Sequence, residues 1–158
     1  MPKIKRSEFM TFIDVDPSNE SYYLLGEGVT AGKVSYNPKT TEEQYIHEDN
    51  ARTSIDSYSP NMPVEQIGNN TDEIFEYLDA LRIARAILED AETTIVNVWA
   101  YESGGPTAYP AEQQAVAIQI DDFGGDAGKA VATNFTINYI GDPIPGTFNA
   151  TTKVFTAS

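Results

Sequence analysis

The sequence predicts a mainly β, antiparallel fold of sandwich or barrel type, with one flanking α-helix at about residues 71–91. Three observations predict it. Residues on both sides of that window alternate apolar and polar with a period of two, the pattern of half-buried strands. Clusters of Gly, Pro, Asn, Asp and Ser separate the alternating runs. One window only, Asn70 to Glu92, carries helical periodicity instead.

The first strand is expected over Glu8 to Val15, where Phe9, Phe12, Ile13 and Val15 precede the turn formers Asp16-Pro17-Ser18-Asn19. Tyr22 to Leu25 is a second short run, and Gly32 to Tyr36 starts a third. From Asn37 to Pro63 the chain turns polar yet keeps Tyr45, Ile46, Ile55, Tyr58 and Met62, so it reads as an extended loop and not a plain linker. Within it, Glu42 to Asp49 and Thr53 to Tyr58 can pair as a protruding hairpin.

For the helix, Asn70 is the expected N-cap with Glu73 three residues on, and Asp72 adds negative charge where the helix dipole favours it. Ile74, Tyr77, Leu78, Leu81, Ala84 and Leu88 fall on one apolar face. After it, Thr93 to Glu102 alternates, with Val96, Val98 and Ala100 on one side and Ile95, Asn97, Trp99 and Tyr101 on the other; a turn over Ser103–Pro106 follows. Val116, Ile118 and Ile120, then Val131, Phe135, Ile137 and Tyr139, mark the two arms of a hairpin turning at Phe123–Gly128. Each arm spans about ten residues, roughly 33 Å at the usual strand rise. A last alternating run covers Gly146 to Phe155. The small uncharged groups on these strands suit a wetted sheet surface.

The composition limits what such a fold can do. Of 158 residues, 41% are hydrophobic and 22% charged, which is globular. One histidine and no cysteine leave no disulfide framework and no thiolate metal site. Met1 to Arg6 is basic, but Ser7–Asp14 follows with two acids in place of an apolar core, so no secretory signal is expected; no run approaches a membrane span. The net charge is −14, and residues 40–92 concentrate it, with thirteen acids against Arg52, Arg82 and Arg85. Tight nucleic-acid binding needs the opposite sign.

No motif supplies chemistry. Gly124–Lys129 lacks the first glycine and the Ser or Thr of a phosphate loop, since Phe123 and Ala130 stand there, and reads as a hairpin turn. Asp121, Asp122 and Asp126 lack calcium-loop spacing. His47 has no second histidine to complete a metal set, and the neighbours Glu42–Glu43 and Glu48–Asp49 point to opposite strand faces, so neither is an acid/base pair. Neither an enzyme nor a cofactor site is expected.

The order of elements, namely an N-terminal strand, the long polar loop Gly32–Asn50, a central helix, the long hairpin and the closing Thr136–Phe148 segment, resembles the major tail tube proteins of long-tailed, non-contractile (siphovirus-type) bacteriophages. The resemblance covers almost the whole chain and rests on order, length and texture. It implies one tail-tube-like domain over residues 1–158 with an N-terminal arm, 1–7, and an extended loop, 37–63. It also implies a structural virion protein, made in the host bacterial cytoplasm, whose sheets join into hexameric rings. Those rings stack on one another, meet tape measure, tail terminator and tail tip proteins, and conduct DNA through an acidic lumen without binding it.

On that reading, Glu42, Glu43, Tyr45, Ile46, His47, Glu48 and Asp49 are the expected ring-to-ring contact. Lys3, Lys5 and Arg6 form a basic arm able to dock on an acidic neighbour. The hairpin's polar face, Gln119, Asp121, Asn134, Thr136 and Asn138, is the expected lumen wall. Two other readings stay open. One is the tube of a contractile tail or secretion apparatus. The other is a β-sandwich module binding carbohydrate or protein, with Trp99, Tyr101 and Tyr109 as an aromatic platform.

Overall fold

The computed structural model describes residues 2–102 and 105–158. Its strands are β1 (Phe9–Asp14), β2 (Tyr22–Leu24), β3 (Val29–Gly32), β4 (Pro38–Glu43), β5 (Arg52–Tyr58), β6 (Asn61–Ile67), β7 (Glu92–Trp99), β8 (Tyr109–Gly124), β9 (Ala132–Asn149) and β10 (Val154–Ala157). Eight of them make one curled antiparallel sheet in the order β2-β1-β7-β8-β9-β6-β3, with β10 paired to the end of β9. β4 and β5 form a separate hairpin. The helix is α1 (Glu73–Ala84), and short 3-10 turns cover Arg6–Glu8 and Leu88–Ala91. The mainly β antiparallel fold with one flanking helix is therefore the observed one.

Each face of the sheet carries a core, over different strands and by different means. Under α1, Ile74 and Leu78 pack on Ile13, Met62, Val64, Ile95, Phe135 and Ile137. On the opposite face, Phe12, Tyr22, Val96, Val98, Ala111 and Phe148 form a second cluster, which Phe155 of β10 helps to close. The Phe148 ring lies 4.6 Å from that of Phe12 and edge-on to Tyr22. The pairs Phe12–Ile13 and Ile95–Val96 thus split between two cores, and β1 and β7 are buried on both sides. The two sides read for this strand, Val96 and Val98 on one and Ile95 and Asn97 on the other, are both buried in β7.

The two long strands make this possible. β8 and β9 run for 16 and 18 residues, not about ten each. A bulge at Gly141–Pro143 interrupts their register, since Gln113 faces Ile144 while Ala115 faces Ile140. The bulge carries β9 from the helix side, at Phe135 and Ile137, to the second core at Phe148. Gln114, fully buried, donates from Nε2 to the Ile140 carbonyl at 2.7 Å and to Gly141 at 3.2 Å, satisfying the carbonyls that the bulge exposes. At Gly146 any Cβ would collide with the Thr156 carbonyl, so glycine is what lets β10 fold back here.

Several element boundaries differ from the sequence reading. The helix N-cap is Asp72, not Asn70: Asn69 Oδ1 accepts from Thr71 N and Oγ1 in a turn, and Asp72 then accepts from Ile74 N. Asp72 is also held by Gln66 Nε2 at 2.8 Å. The helix stops at Ala84 because Arg85 adopts a left-handed φ of 48° and returns its N–H to Arg82 and Leu81, leaving Ala84 and Leu88 exposed. The third strand is Val29–Gly32, with Ser35 making only an isolated bridge to Asn61. The hairpin in the 37–63 region exists, but its first arm is Pro38–Glu43, and β6 was not expected at all. The last run is broken: Asn149 Oδ1 caps Thr151 and Thr152, and Lys153 has φ 59°. Gly124–Lys129 is the β8–β9 turn, as read, whereas Ser103 and Gly104 of the expected Ser103–Pro106 turn lie outside the described residues.

Candidate functional site

The five residues expected on the hairpin's polar face come together. Strand register sets Gln119 opposite Thr136 and Asn138 opposite Ala117. A second bulge, between Ile120 and Asp122, gives β8 one extra residue and turns both Asp121 and Asp122 towards the same polar rows. Thr136 Oγ1 donates to Asp121 Oδ2 at 2.8 Å, Gln119 Nε2 to Asp121 Oδ1 at 2.5 Å, and Asn138 Nδ2 to Gln119 Oε1 at 3.3 Å. Asn134 donates from Nδ2 to Asp122 Oδ2 at 3.1 Å. The ladder lies on the sheet face away from α1, beyond the part covered by Phe148.

Three acids that the sequence reading left out extend this face. Glu65 of β6 sits opposite Asn134, Glu92 of β7 opposite Ala117, and Asp122 beside Asp121. Glu65 follows from the strict alternation of Met62, Val64 and Gln66 inward against Pro63, Glu65 and Ile67 outward. That signal is in the sequence, but it is readable only once the segment is known to be a strand.

The same region has two open edges. β8 pairs with β7 only as far as Ala117 but with β9 to Gly124, so its last residues offer unpaired backbone. β3 pairs with β6 alone. Among the described residues no strand covers either edge, and together they bound the four-stranded section β3-β6-β9-β8.

The second surface is the β4–β5 hairpin, in which every strand residue is exposed. Its tip is organised internally. Arg52 Nε meets Glu48 Oε2 at 2.8 Å and its guanidinium lies 5.2 Å from the Tyr45 ring centre, His47 stacks on Tyr45, and Tyr45 OH donates to Glu43 at 3.0 Å. Thr41 and Asp56 join the arms by a side-chain hydrogen bond. Glu42 and Asp49 are exposed, and Ile46 is fully so. Of the seven expected contact residues, only Glu48 has most of its side chain covered, at 17% exposure.

In the basic arm, Lys3 and Lys5 are exposed, while Arg6 donates to the Phe9 carbonyl at 2.7 Å and to the Gly32 carbonyl at 3.0 Å, bridging the start of β1 to the end of β3. The structure thus separates Arg6 from its two neighbours in role.

A cleft at the hairpin base is lined by Tyr36, Tyr58, Trp99, Glu112, Tyr139 and Asp142. Behind its Tyr139, Thr11 Oγ1 donates to Asn97 Oδ1, and Asn97 Nδ2 donates to Tyr139 OH, each at 2.9 Å. Burial pushes the Tyr139 hydroxyl up to about 12 and raises Glu112 above the ordinary carboxyl range, with a hydrogen bond to Asn97 acting against both shifts. The cleft holds acceptors and rings, with no nucleophile set against a base among the described residues. The trio Trp99, Tyr101 and Tyr109 does not form a platform: Trp99 lines this cleft, whereas Tyr109 packs on the Phe148 cluster of the opposite face.

Among the described residues no group of three or more His, Asp or Glu is placed to hold a metal ion, and no helix is long and apolar enough to cross a membrane. No protein-family model matches the sequence, and no curated protein does either. Solved structures do match. A chain from the tail of an empty GTA particle of C6 symmetry superposes with a TM-score of 0.66 at 11% identity, covering 98% of this chain and 100% of that one. A chain from the six-fold symmetrised baseplate of the anti-feeding prophage gives 0.51 at 10% identity, over 92% and 95%. At these identities the likeness is one of fold, and it spans both chains nearly end to end.

Proposed function

We propose that the chain is the tube subunit of a phage-type tail, of the non-contractile kind. In this reading residues 1–158 form one tail-tube-like domain that assembles into six-membered rings. The rings stack through the 37–63 region and the 1–7 arm, meet other tail proteins at the ends of the tube, and conduct DNA. The observation that carries the reading is the end-to-end fold likeness to a chain of a C6-symmetric tail.

The geometry supports it in two further ways. The section β3-β6-β9-β8 has an open edge on each side, so identical neighbours can pair edge to edge around a closed ring, which removes the exposed edges. Its uncovered face presents Glu65, Asp121 and Asp122 among small neutral groups, with Glu92 of the adjoining β7 opposite Ala117. A polyanion passes such a wall without being held, because no cationic array is there to release its counterions. The likeness to a baseplate chain favours, as second reading, a tube component of a contractile or secretion-type particle.

Negative-stain electron microscopy of the purified protein over a concentration series, with sizing of the same samples, tests the proposal. Rings or tubes with a central channel are expected. A strictly monomeric species at every concentration, together with retention on a glycan array, would replace it with the binding-module reading.

A further inference from the structure

We propose that the groove between the end of α1 and the open edge of β8 seats the hairpin tip of a second copy of the chain, in a head-to-tail contact. This rests on the tube reading and names the receiving surface for it.

The tip is a ready-made knob. Ile46 is fully exposed beside Tyr45, on a turn fixed by the Arg52–Glu48 pair, and no core of its own lies beneath it. An isolated two-stranded hairpin is marginal in water, so one whose strand residues are all exposed gains most from a partner surface. The groove is the matching hole, of about 470 Å³, with Leu81, Ile118, Ile120 and Phe123 inside it. On its wall Ile87 is 69% exposed, which leaves aliphatic surface facing water.

Charge selects the same occupant. Residues 40–92 hold thirteen acids and three arginines. Arg52 is engaged by Glu48 within the tip, and Arg82 by Asp79 at 2.6 Å. Arg85, on the groove wall, has no carboxylate partner among the described residues, and its guanidinium donates only to the Ile83 carbonyl at 3.3 Å. Glu42, Glu43 and Asp49 of the tip supply what it lacks. Asp121 and Asp122 line the groove's other wall, which directs those acids to the Arg85 side.

The contact is intermolecular by construction. The hairpin leaves the sheet beside Asn138 and Tyr139, and its base lies over Gly141–Pro143. The groove flanks β8 residues that face Thr133 to Ile137, on the other side of Tyr139 along β9. Tip and groove thus lie at different ends of the chain, and a contact between unlike surfaces repeats into an open stack instead of closing on a dimer.

The chain has no cysteine, so paired thiols report the contact cleanly. Ile46→Cys and Ile87→Cys alter exposed side chains outside both cores. Mixing the two single variants, assembling and oxidising them should give a mixed dimer on a non-reducing gel; the variant carrying both should give a ladder, and each single variant alone should stay monomeric. Arg85→Glu should raise the concentration needed for assembly about tenfold, one decade of affinity. If electron micrographs show tubes but the mixture gives no mixed dimer, the hairpin seats elsewhere and the tube reading stands. Dimers from Ile46→Cys alone would mean tip-to-tip pairing and overturn the proposal. Monomers throughout, with no cross-link and no particle in micrographs, would remove the tube reading and this contact together.

Discussion

The sheet and the β4–β5 hairpin are built on opposite principles. Along β7 four consecutive side chains, Ile95 to Val98, are buried because α1 covers one face and the returning β9 and β10 strands cover the other. Along β4 and β5 every strand residue is exposed, including Ile55, and Tyr36 and Tyr58 at the base are more than half exposed. The first region meets its own hydrophobic needs within one chain. The second places β-forming residues on a surface that nothing among the described residues covers, and it is there that the proposed assembly supplies a partner.

The sharpest way to break that contrast is to cut each region in turn. Phe135→Ala, at the centre of the core under α1, should cost about 3–5 kcal/mol, a large share of a typical domain's stability, read as a fall in the denaturant midpoint at unchanged slope. Replacing residues 39–57 by an Asn-Gly turn between Pro38 and Tyr58, which are already cross-strand partners, should change stability by less than about 0.5 kcal/mol. Yet it should abolish polymerisation under the electron microscope. A hairpin-less protein that assembles normally would show that the hairpin is ornament, and one that unfolds would show that it is core.

A middle-sized effect tests how β9 serves two cores. Gln114→Leu leaves the Ile140 and Gly141 carbonyls without their donor at the bulge, for about 1–3 kcal/mol of destabilisation by thermal melt. The loss should fall on both clusters together, so tryptophan fluorescence from Trp99 and far-ultraviolet circular dichroism should report one transition.

These same features mark where the sequence could be read and where it could not. Strand alternation in β8 and β9, the apolar stripe Ile74, Leu78 and Leu81, and the glycines of the β8–β9 turn are local signals, and they located the helix and the long hairpin. The second core is not local. Phe148 meets Phe12 only because a three-residue bulge redirects β9, and nothing in Gly141-Asp142-Pro143 distinguishes a bulge from a turn until the partner strand is known. The helix end at Arg85 carries no glycine, so the apolar spacing ran on to Leu88 unchecked. On the candidate site, Gln119, Asp121, Asn134, Thr136 and Asn138 were found by alternation; Glu65, Glu92 and Asp122 required strand neighbours and a bulge that only the folded register supplies.

The polar face offers a gentler test of the division between self-sufficient and partner-dependent surface. Glu65→Lys and Glu92→Lys combined should cost less than about 1 kcal/mol of stability, since both positions are solvent-facing and neither side chain holds a hydrogen bond among the described residues. The change of charge should nevertheless give the assembled protein an affinity for duplex DNA, absent in the parent, with log K falling by about 0.9 per decade of salt for each phosphate neutralised. DNA binding by the parent at physiological salt would contradict the proposed conduit.

The smallest expected effect lies at the seam between the two regions, where the hairpin base meets the sheet. Glu112 lines that cleft, and burial raises its carboxyl, with the hydrogen bond to Asn97 opposing the shift. A carboxyl whose folded value is raised holds its proton longer in the native state than in the unfolded chain. Between the two values the native state therefore binds more protons, and stability falls as pH rises through that window. Glu112→Gln keeps the shape and the hydrogen-bonding capacity but cannot ionise. It should melt slightly higher than the parent at neutral pH, and the difference should vanish once the solution is acid enough to protonate this carboxyl in both folded and unfolded chains. Melting curves of the two proteins from acid to neutral pH check this directly. A difference independent of pH would mean that Glu112 acts through packing alone, and that the cleft between hairpin and sheet is as well settled within one chain as the cores beside it.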